Sequence, residues 1–538
     1  MKIIIPSAKL VPEDLQSLGK LPAIVYPVNQ KIVFDYLYDE YKGADFRVVD
    51  FENAPIVHRR LNNYKVNILD LDKLGDLGMT IYQGLKDVDG EGIINFADTI
   101  VEDNISGIAG DAFYYSKDVT SSTWTFFTDE KGRITNIVDK KNSNNSNVEK
   151  LFVGVFKFSN LTFFRECLKH AFMADKLEID TFYYALKLYS QKYPFKVIRA
   201  QNWFDIGHAD KYFSSQIEVK AREFNHIKID KNRGILTKTS DGVDKFIGEI
   251  KWYLKLPNDL EYTRPRIFSY STSYTKPYVS MEYYAYHTIH ELFLYGDLSE
   301  KQWIDIFKRI EFVCKDYSRY SVNDSTKIKE ALEEMYLTKT ITRLQTLQKD
   351  KHFKNFFDSP INVNGKQYKS LNEIIDILKE EIPKKLYDVD HFNIIHGDLC
   401  FANIMIDNNN NFVKLIDPRG KFGAFDIYGD SRYDLAKLCH SLDGKYDFII
   451  KDLFKINYDI NNAIINYTIN DRVRDFDLYQ VFTDVFKNEI NGDLKKIELI
   501  ESLLFLSMIP LHGESLEQQL VMLGTGLNLL NRSVNILA

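Results

Sequence analysis

The feature that most constrains the fold is an alternation of short apolar runs and helix-like segments across roughly the first 210 residues. The first run, at 2–5, opens the chain, and similar runs lie at 47–51, 66–69, 92–96 and 151–158. Helix-like segments at 31–41 and 79–85 lie between several of them. Buried parallel strands have this composition because helices cover both faces of their sheet. The alternation predicts an α/β domain built on a mostly parallel sheet.

The pattern changes after about residue 215. Strand-like runs lie at 223–230, 234–239 and 277–283, with a helix-like segment at 244–255 between the second and the third. From residue 299 onward the apolar residues recur mainly at helical spacing, with an interruption at 393–415. We therefore expect two domains, at 1–215 and 216–538.

Composition excludes several classes of protein. The 538 residues include 69 basic and 76 acidic side chains, for a formal net charge of −7, which argues against nucleic acid as the main partner. The four cysteines lie far apart without a CxxC pair, so neither a zinc site nor a disulfide scaffold follows. The N-terminal apolar run is too short for the core of a signal peptide, and the longest apolar stretch, at 503–511, is too short for a membrane helix, so we expect a cytoplasmic protein without membrane insertion.

The segment IIHGDLCFANIMIDNNNNFVKLIDPRG, at 394–420, carries the strongest chemical signal. It contains Asp398 in an HGD triplet, Asn403 five residues later, and Asp417 after a predicted strand pair. Phosphoryl transfer needs a carboxylate that accepts the proton of an attacking hydroxyl, and oxygen ligands for Mg²⁺ on the ATP phosphates. An Asp, a downstream Asn and a second Asp after a hairpin supply these groups in the expected order.

With HGDLCFAN and LIDPRG, the chain resembles the aminoglycoside phosphotransferase and choline kinase group of small-molecule kinases. The resemblance covers about 220–538 and implies an α+β protein-kinase-like domain, with an N-lobe at about 220–285 and a C-lobe at about 286–538. By it, Asp398 would be the catalytic base, and Asn403 and Asp417 would bind Mg²⁺. Any one of these residues could instead be structural, but the ordered set favours a kinase.

The same resemblance assigns an ATP site. Lys238, on a strand-like run, would contact the α- and β-phosphates and pair with Glu249 on the following helix-like segment, although an ordinary surface Lys and Glu is an equal alternative. Glu282 and Tyr284 lie where a hinge would bind adenine through its backbone. The glycine-rich loop of such kinases is missing, because DKNRG at 230–234 offers one glycine.

Further residues near the metal aspartate bear on the loop and the acceptor. Asp430, Arg432 and Asp434, in GDSRYDLAKL, are expected by resemblance to brace the catalytic loop through hydrogen bonds. Arg419 stands where choline kinases carry acidic and aromatic residues, and it could meet a substrate anion or form a structural ion pair. Because a quaternary ammonium requires a carboxylate and aromatic faces, choline is not favoured as the acceptor.

The N-terminal segment carries a second set of motifs, in the order KLPAIVYPVNQKIVFDYL, IINFADT, WTFFTDEKGRITNIVDK, VGVFKF and WFDIGH. In this order they resemble the sugar-phosphate nucleotidyltransferases, which implies a Rossmann-like α/β fold. By this resemblance Asp98 and Asp205 would bind Mg²⁺, Lys20 would contact the nucleotide phosphates, and Lys140 the substrate phosphate. Such groups are needed because two anions must meet when a phosphate oxygen attacks the α-phosphate of a nucleoside triphosphate.

One departure weakens the nucleotidyltransferase interpretation. The phosphate loop of that family begins with glycines and an arginine after the first strand, because bare backbone can approach phosphate closely. This chain has PSAKLVPEDLQSLG, without a glycine before Gly19. In a structural interpretation, Asp98 is a strand-end turn residue and Lys140 begins a charged loop.

Together the motifs predict a bifunctional enzyme of surface-glycan or capsule precursor synthesis. A C-terminal kinase would phosphorylate a small hydroxyl- or amide-bearing metabolite with ATP and Mg²⁺, and the N-terminal domain would transfer a nucleotidyl group onto that phosphate. CTP is the expected donor because choline-type kinases partner with cytidylyltransferases. Two alternatives remain: a kinase with an inactive N-terminal binding or scaffold module, and an antibiotic-modifying phosphotransferase with a strongly acidic pocket. The sequence does not indicate an oligomeric state.

Overall fold

The computed structural model divides the chain into two compact units, Met1–Val219 and Lys220–Ala538. The structure describes residues 1–28, 31–51, 54–117, 124–139, 150–174, 177–207, 225–230, 232–284, 286–407, 412–470 and 474–538. The domain boundary expected after residue 215 lies outside these ranges. Each unit is described by itself below.

The first unit alternates strands and helices. Its strands are β1 (Lys2–Pro6), β2 (Pro27–Val28), β3 (Lys31–Ile32), β4 (Asp45–Asp50), β5 (Val66–Asp70), β6 (Gly92–Asn95), β7 (Thr99–Val101), β8 (Ala112–Ser116), β9 (Thr125–Glu130), β10 (Arg133–Asp139), β11 (Lys150–Phe158), β12 (Lys196–Arg199) and β13 (Trp203–Asp205). Its helices are α1 (Val33–Glu40), α2 (Ala54–Leu61), α3 (Leu77–Gly84), α4 (Leu161–Phe172) and α5 (Thr181–Lys192).

A nine-stranded mixed sheet forms the centre of this unit, in the order β10-β9-β11-β6-β1-β4-β5, with β8 paired to β11 and β12. β1 pairs in parallel with β4 and β6, and β4 pairs in parallel with β5. Ile3, Ile4 and Ile5 of the first apolar run are fully buried in this arrangement, as the continuous hydrophobicity of β1 requires. The predicted α/β architecture is confirmed, although β11 joins β6 and β8 in antiparallel pairs.

The second unit begins with strands and continues mainly with helices. Its strands are β14 (Asn225–Asp230), β15 (Ile235–Ser240), β16 (Ile267–Ser271), β17 (Tyr278–Glu282), β18 (His287–Thr288), β19 (Ser321–Val322), β20 (Ile361–Val363), β21 (Lys366–Tyr368), β22 (Phe392–Ile394), β23 (Ile404–Asp407), β24 (Phe412–Leu415), β25 (Tyr428–Gly429), β26 (Phe454–Asp459) and β27 (Ile464–Ile469). Its helices are α6 (Val243–Lys255), α7 (Ile289–Tyr295), α8 (Glu300–Ser318), α9 (Ser325–Leu332), α10 (Lys339–Leu347), α11 (Lys354–Asp358), α12 (Leu371–Leu386), α13 (Ser431–Leu442), α14 (Tyr446–Ile449), α15 (Leu478–Val485), α16 (Lys487–Ile490), α17 (Leu494–Met508) and α18 (Leu516–Ser533).

A four-stranded antiparallel sheet, in the order β14-β15-β17-β16, opens the second unit. Helix α6 follows β15 and buries an apolar face that includes Phe246, Ile250 and Trp252. The strands expected at 234–239 and 277–283 and the helix expected at 244–255 match β15, β17 and α6 to within one residue at each end. The predicted hairpin near 404–415 is present as the antiparallel pair β23–β24.

The sequence predicted a mainly helical C-terminal region, but the structure contains another four-stranded sheet there, in the order β21-β20-β27-β26. Its hairpin β26–β27 pairs Phe454 with Ile469 at one end and Asp459 with Ile464 at the other. Polar and apolar residues alternate in FKINYD, a period-2 pattern typical of a half-exposed strand. Within the described ranges, no helix combines the length and the hydropathy that crossing a bilayer requires.

Candidate active sites

Lys238 and Glu249 form a buried ion pair in the second unit. Lys238 lies on β15 and Glu249 on α6, and the Lys238 Nζ lies 2.9 Å from both carboxylate oxygens of Glu249. Only 4% of Lys238 and 8% of Glu249 are exposed. Buried charges are costly unless they are paired, so each side chain depends on the other. The structure thus brings together the two residues that the sequence analysis paired.

Asp417 is the third member of this cluster. Its Oδ1 lies 2.9 Å from the Lys238 Nζ, and its backbone N–H donates a hydrogen bond to the Tyr253 hydroxyl. Burial and then the charge of Asp417 raise the pKa of Glu249 to about 8, while Lys238 opposes the rise. Burial disfavours the Lys238 ammonium, but Asp417 and Glu249 outweigh it and raise the pKa of Lys238. The ammonium is therefore held in its charged form.

Two glycines bring α6 against the loop that follows Asp417. A Cβ placed on Gly420 would lie 2.1 Å from the carbonyl carbon and oxygen of Gly248 on α6. Gly420 also has a φ of +66°, in the left-handed region that favours glycine. This close backbone approach positions Glu249 and Asp417 around Lys238.

We expect Gly420→Ala to lower the melting temperature, because the added Cβ would overlap the backbone of Gly248. Overpacking of this kind costs about 1–3 kcal/mol. Gly365→Ala is the matched control, since Gly365 has a φ of +81° but no atom within 4 Å of the added Cβ. Thermal unfolding monitored by circular dichroism compares the two. Equal melting temperatures would show that the close approach does not matter for stability.

The turn that carries Asp398 is fixed by Asp434, a buried residue of α13. The backbone N–H groups of His396 and Gly397 donate to the Asp434 carboxylate at 2.7 and 2.8 Å. Gly397 has a φ of +76°, and a Cβ there would lie 2.9 Å from the Cβ of Arg419. The expected brace is thus made by Asp434, whereas Asp430 pairs with Arg432.

Among the described residues, the side chains of Lys437 and Asn403 contact Asp398. The Nζ of Lys437 lies 2.8 Å from its Oδ1, and the Nδ2 of Asn403 donates to its backbone oxygen at 2.8 Å and to its Oδ2 at 3.3 Å. The side chain of Asp398 remains 35% exposed, while that of Lys437 is buried. The sequence analysis missed Lys437, although its place three residues after Asp434 puts both on one side of α13.

Asn403 and Asp417 offer oxygen ligands that fit Mg²⁺. The backbone N–H of Ile416 donates to the carbonyl of Asn403 at 3.0 Å, which holds the two residues close together. The amide nitrogen of Asn403 faces Asp398, which leaves its side-chain oxygen for a metal, and Asp417 is 48% exposed. Mg²⁺ commonly takes one or two protein oxygens and completes its shell with water and phosphate. Among the described residues there is no group of three or more His, Cys, Asp or Glu side chains that could hold a metal.

Part of the backbone of the predicted hinge already forms hydrogen bonds with neighbouring segments. The backbone N–H of Glu282 donates to the Arg266 carbonyl, and that of Tyr283 donates to the Gly234 carbonyl, both at 2.9 Å. The Glu282 carboxylate accepts a hydrogen bond from the Tyr284 hydroxyl at 2.6 Å. Adenine recognition through the N–H of Glu282 is therefore excluded, and Tyr284 remains the candidate.

Asp98 and Asp205 lie together in the first unit. Strand β13 pairs with β7, and the backbone N–H of Ile206 donates to the Asp98 carbonyl at 2.9 Å. A Cβ on Gly207 would lie 2.9 Å from both the Asp98 Oδ2 and the Asp205 Oδ1, so these oxygens are at most twice that distance apart. A pair of carboxylates at this spacing fits a Mg²⁺ ion that also binds triphosphate oxygens.

Lys20, one of the two lysines expected in the first unit, is not joined to this pair. Lys20 is exposed after Gly19, and within the described ranges its side chain makes no hydrogen bond or ion pair with Asp98 or Asp205. Lys140 lies outside the described residues. After β1, where the nucleotidyltransferases that the segment resembles carry a glycine-rich loop, this chain forms a short 3-10 helix, Glu13–Leu18.

No protein-family model matches the sequence, and no curated protein matches it. Solved structures similar to part of the chain include the CTP:phosphocholine cytidylyltransferase from Streptococcus pneumoniae, which is 16% identical with a TM-score of 0.35. The similarity covers 41% of this chain and 99% of the cytidylyltransferase. A protein described as a glucose-1-phosphate thymidylyltransferase from Bacillus anthracis is 13% identical, with 42% and 97% covered and a TM-score of 0.32. The CMP:2-keto-3-deoxy-manno-octonic acid synthetase complexed with CTP is 9% identical, with 37% and 88% covered and a TM-score of 0.27.

Proposed function

We propose that the chain is a bifunctional enzyme whose two units act in sequence. The second unit phosphorylates a small hydroxyl- or amide-bearing metabolite with ATP. The first unit then transfers a nucleotidyl group, CMP from CTP, onto the new phosphate. Activated metabolites of this type serve as precursors of capsule or other surface glycans.

The observation that carries the kinase proposal is the arrangement of Asp398, Lys238 and Asp417 on separate elements of the second unit. Asp398 is exposed enough to meet an acceptor, and Lys437 holds its Oδ1 in place at 2.8 Å. Lys238 is held charged by Glu249 and Asp417, as a group that grips phosphates must be. Phosphoryl transfer depends on residues that position the reactants and neutralise charge, and it asks the protein for little covalent chemistry.

In the proposed reaction, the acceptor oxygen attacks the γ-phosphorus of ATP, and ADP leaves. Asp398 orients the acceptor hydroxyl and takes its proton. Lys238 neutralises charge on the phosphates of the donor. Asn403 and Asp417 would hold Mg²⁺, which would neutralise the charge that develops on the phosphate oxygens.

The proposal of nucleotidyl transfer is supported by the paired carboxylates of Asp98 and Asp205 in the first unit. A phosphate nucleophile and a triphosphate repel each other because both are anions. A metal ion held by a pair of carboxylates neutralises this repulsion. The choice of CTP rests on the pairing of a choline-type kinase with a cytidylyltransferase in one chain.

A second candidate function is a kinase whose N-terminal unit is a binding or scaffold module. The 3-10 helix Glu13–Leu18 favours it, because this helix stands where exposed backbone N–H groups would be needed to bind the triphosphate. Its first turn carries Glu13 and Asp14, which would repel phosphate.

The test is a two-stage assay of the purified full chain. Hydroxyl- and amide-bearing metabolites are first screened with ATP and Mg²⁺ for ADP release, and the product is identified by mass spectrometry. The phosphorylated product is then supplied with CTP, UTP, GTP and dTTP in turn, and pyrophosphate is measured. Pyrophosphate release with one of them supports the bifunctional enzyme, whereas ADP release alone supports the kinase with a scaffold module.

Lys238→Met is expected to raise the KM for ATP and lower kcat of the kinase, because the ammonium that grips the phosphates is lost. Lys245→Met is the matched control, since Lys245 is an exposed lysine on α6, about one turn before Glu249, and is not assigned to phosphate binding. Initial rates over a range of ATP concentrations separate the two constants. A silent Lys238→Met together with an impaired Lys245→Met would reverse the assignment.

A further inference from the structure

A cluster of cations surrounds the Tyr433 hydroxyl in the second unit. The Lys339 Nζ and the Arg419 Nη1 lie 3.3 and 3.2 Å from this hydroxyl. The Lys339 Nζ also lies 5.4 Å from the centroid of the Tyr433 ring. Arg343, one turn after Lys339 on α10, donates to the Ser507 carbonyl at 3.0 Å. Three positive charges are thus gathered beside one buried tyrosine.

This cluster has no carboxylate of its own. Within the described part of the chain, none of Lys339, Arg343 and Arg419 forms an ion pair with an acidic side chain. The acids nearby on α13 and at its start are engaged elsewhere, because Asp430 pairs with Arg432 and Asp434 accepts two backbone N–H groups. Half-buried cations without a counter-charge are unfavourable, and a bound anion would supply the missing charge.

The electrostatics agree with an excess of positive charge. Burial raises the pKa of Tyr433, but Lys339, Arg419 and Lys437 outweigh it and lower this pKa to about 8. Burial, with the neighbouring Arg419 and Arg343, lowers the pKa of Lys339 to about 8 although Tyr433 opposes the change. A tyrosine stabilised as its anion and a lysine destabilised as its cation both indicate a site that favours negative charge.

The cluster lies one helical turn from the group that contacts Asp398. Tyr433 and Lys437 are four residues apart on α13, so their side chains are neighbours on one face. Lys437 is the residue whose Nζ lies 2.8 Å from Asp398. A helical turn advances about 5.4 Å, so the basic cluster lies close to the residue that contacts Asp398.

We propose that the acceptor is a small anion that carries a hydroxyl group, and that its carboxylate or phosphate binds Lys339 and Arg419. This inference rests on the kinase function proposed above. The acceptor hydroxyl oxygen forms the new bond to the γ-phosphorus, the bond from that phosphorus to the bridging oxygen of ADP breaks, and the hydroxyl proton passes to Asp398. Cationic acceptors such as choline and aminoglycosides are repelled by the same cluster.

The experiment uses pools of hydroxyl metabolites sorted by charge. Carboxylates, phosphate esters, neutral polyols and cationic amines are each supplied with ATP and Mg²⁺, and ADP release by the full chain is measured. The expected acceptor comes from the carboxylates or the phosphate esters, and deconvolution of the pool tells which. A preference for the neutral or cationic pool overturns this inference and leaves the kinase intact. If none of the pools leads to ADP release, the kinase function is overturned, and this inference with it.

Variants then test the assigned residues with the acceptor so found. A hydrogen-bonded charge pair is worth about 1.5–3 kcal/mol, so Lys339→Met should raise the KM for the acceptor by at least ~10-fold and leave the KM for ATP unchanged. Lys339→Arg should retain most of the affinity because it keeps the charge. Lys349→Met, which removes an exposed lysine just beyond α10, should have no effect. An unchanged acceptor KM in a folded Lys339→Met protein contradicts the assignment.

Discussion

Asp398→Asn is expected to reduce phosphorylation of the acceptor by at least ~10²-fold, because general-base assistance contributes rate accelerations of this size. The amide has nearly the shape of the carboxylate but cannot take a proton from the acceptor. Binding of ATP should survive, since Asp398 is not among the residues assigned to Mg²⁺ or the phosphates. Turnover is measured by ADP release, and ATP binding by calorimetry with and without Mg²⁺.

Two further variants make this result specific. Asp390→Asn changes an aspartate whose side chain is 91% exposed eight residues earlier, and it should be silent. Asp417→Ala should weaken Mg²⁺-dependent ATP binding as well as turnover, unlike Asp398→Asn. Normal turnover of Asp398→Asn would remove Asp398 from the mechanism. The same ATP affinity in the Asp398 and Asp417 variants would contradict the division of roles between them.

Asp205→Ala is expected to abolish nucleotidyl transfer while phosphorylation continues, so that the phosphorylated metabolite accumulates. Loss of a metal carboxylate removes several kcal/mol of charge stabilisation, which corresponds to at least ~10²-fold in pyrophosphate release. Asp398→Asn should block the overall reaction, and addition of the phosphorylated metabolite should restore it, because the two steps use different carboxylates. Asp72→Ala, at an exposed position of the same unit, is the control.

The complementary behaviour of these two variants decides between the two candidate functions. If wild-type protein with the phosphorylated metabolite releases no pyrophosphate from any nucleoside triphosphate, the N-terminal unit is not a transferase and the kinase alone remains. If Asp205→Ala impairs phosphorylation as well, the steps are not independent. Thermal unfolding of each variant shows whether a lost activity reflects a lost fold.

Local patterns in the sequence were sufficient to predict the elements around both sites. Continuous apolar runs identified β1 and β4, which lie inside the parallel part of the sheet, and also β5, which is half exposed at its edge. Helical spacing identified α6. The pairing of Lys238 with Glu249 was expected from the resemblance to small-molecule kinases, and the local patterns supplied only the strand and the helix that carry the two residues. The β26–β27 hairpin was missed although polar and apolar residues alternate in FKINYD, because the region after residue 299 was assigned by its prevailing helical spacing.

Contacts between residues distant in the sequence were not predictable in the same way. The contact of Lys238 with Asp417 spans 179 residues, and the approach of Gly248 to Gly420 depends on tertiary packing. The basic cluster joins Lys339 on α10 to Tyr433 on α13, and no role was predicted for either side chain, although Tyr433 lies within the segment GDSRYDLAKL. Arg419 was recognised as a possible anion ligand, but its companions became visible only in the folded chain.

One helix carries three of the parts on which the proposed kinase depends. Asp434, which braces the catalytic turn, Lys437, which contacts the base, and Tyr433, at the centre of the basic cluster, all lie on α13. A rigid helix moves as one body, so a small displacement shifts the three together and preserves their spacing. The side chains from α10 are under no such constraint. Evolution could therefore exchange one acceptor for another through substitutions on α10 and leave the phosphate-transfer chemistry unaltered.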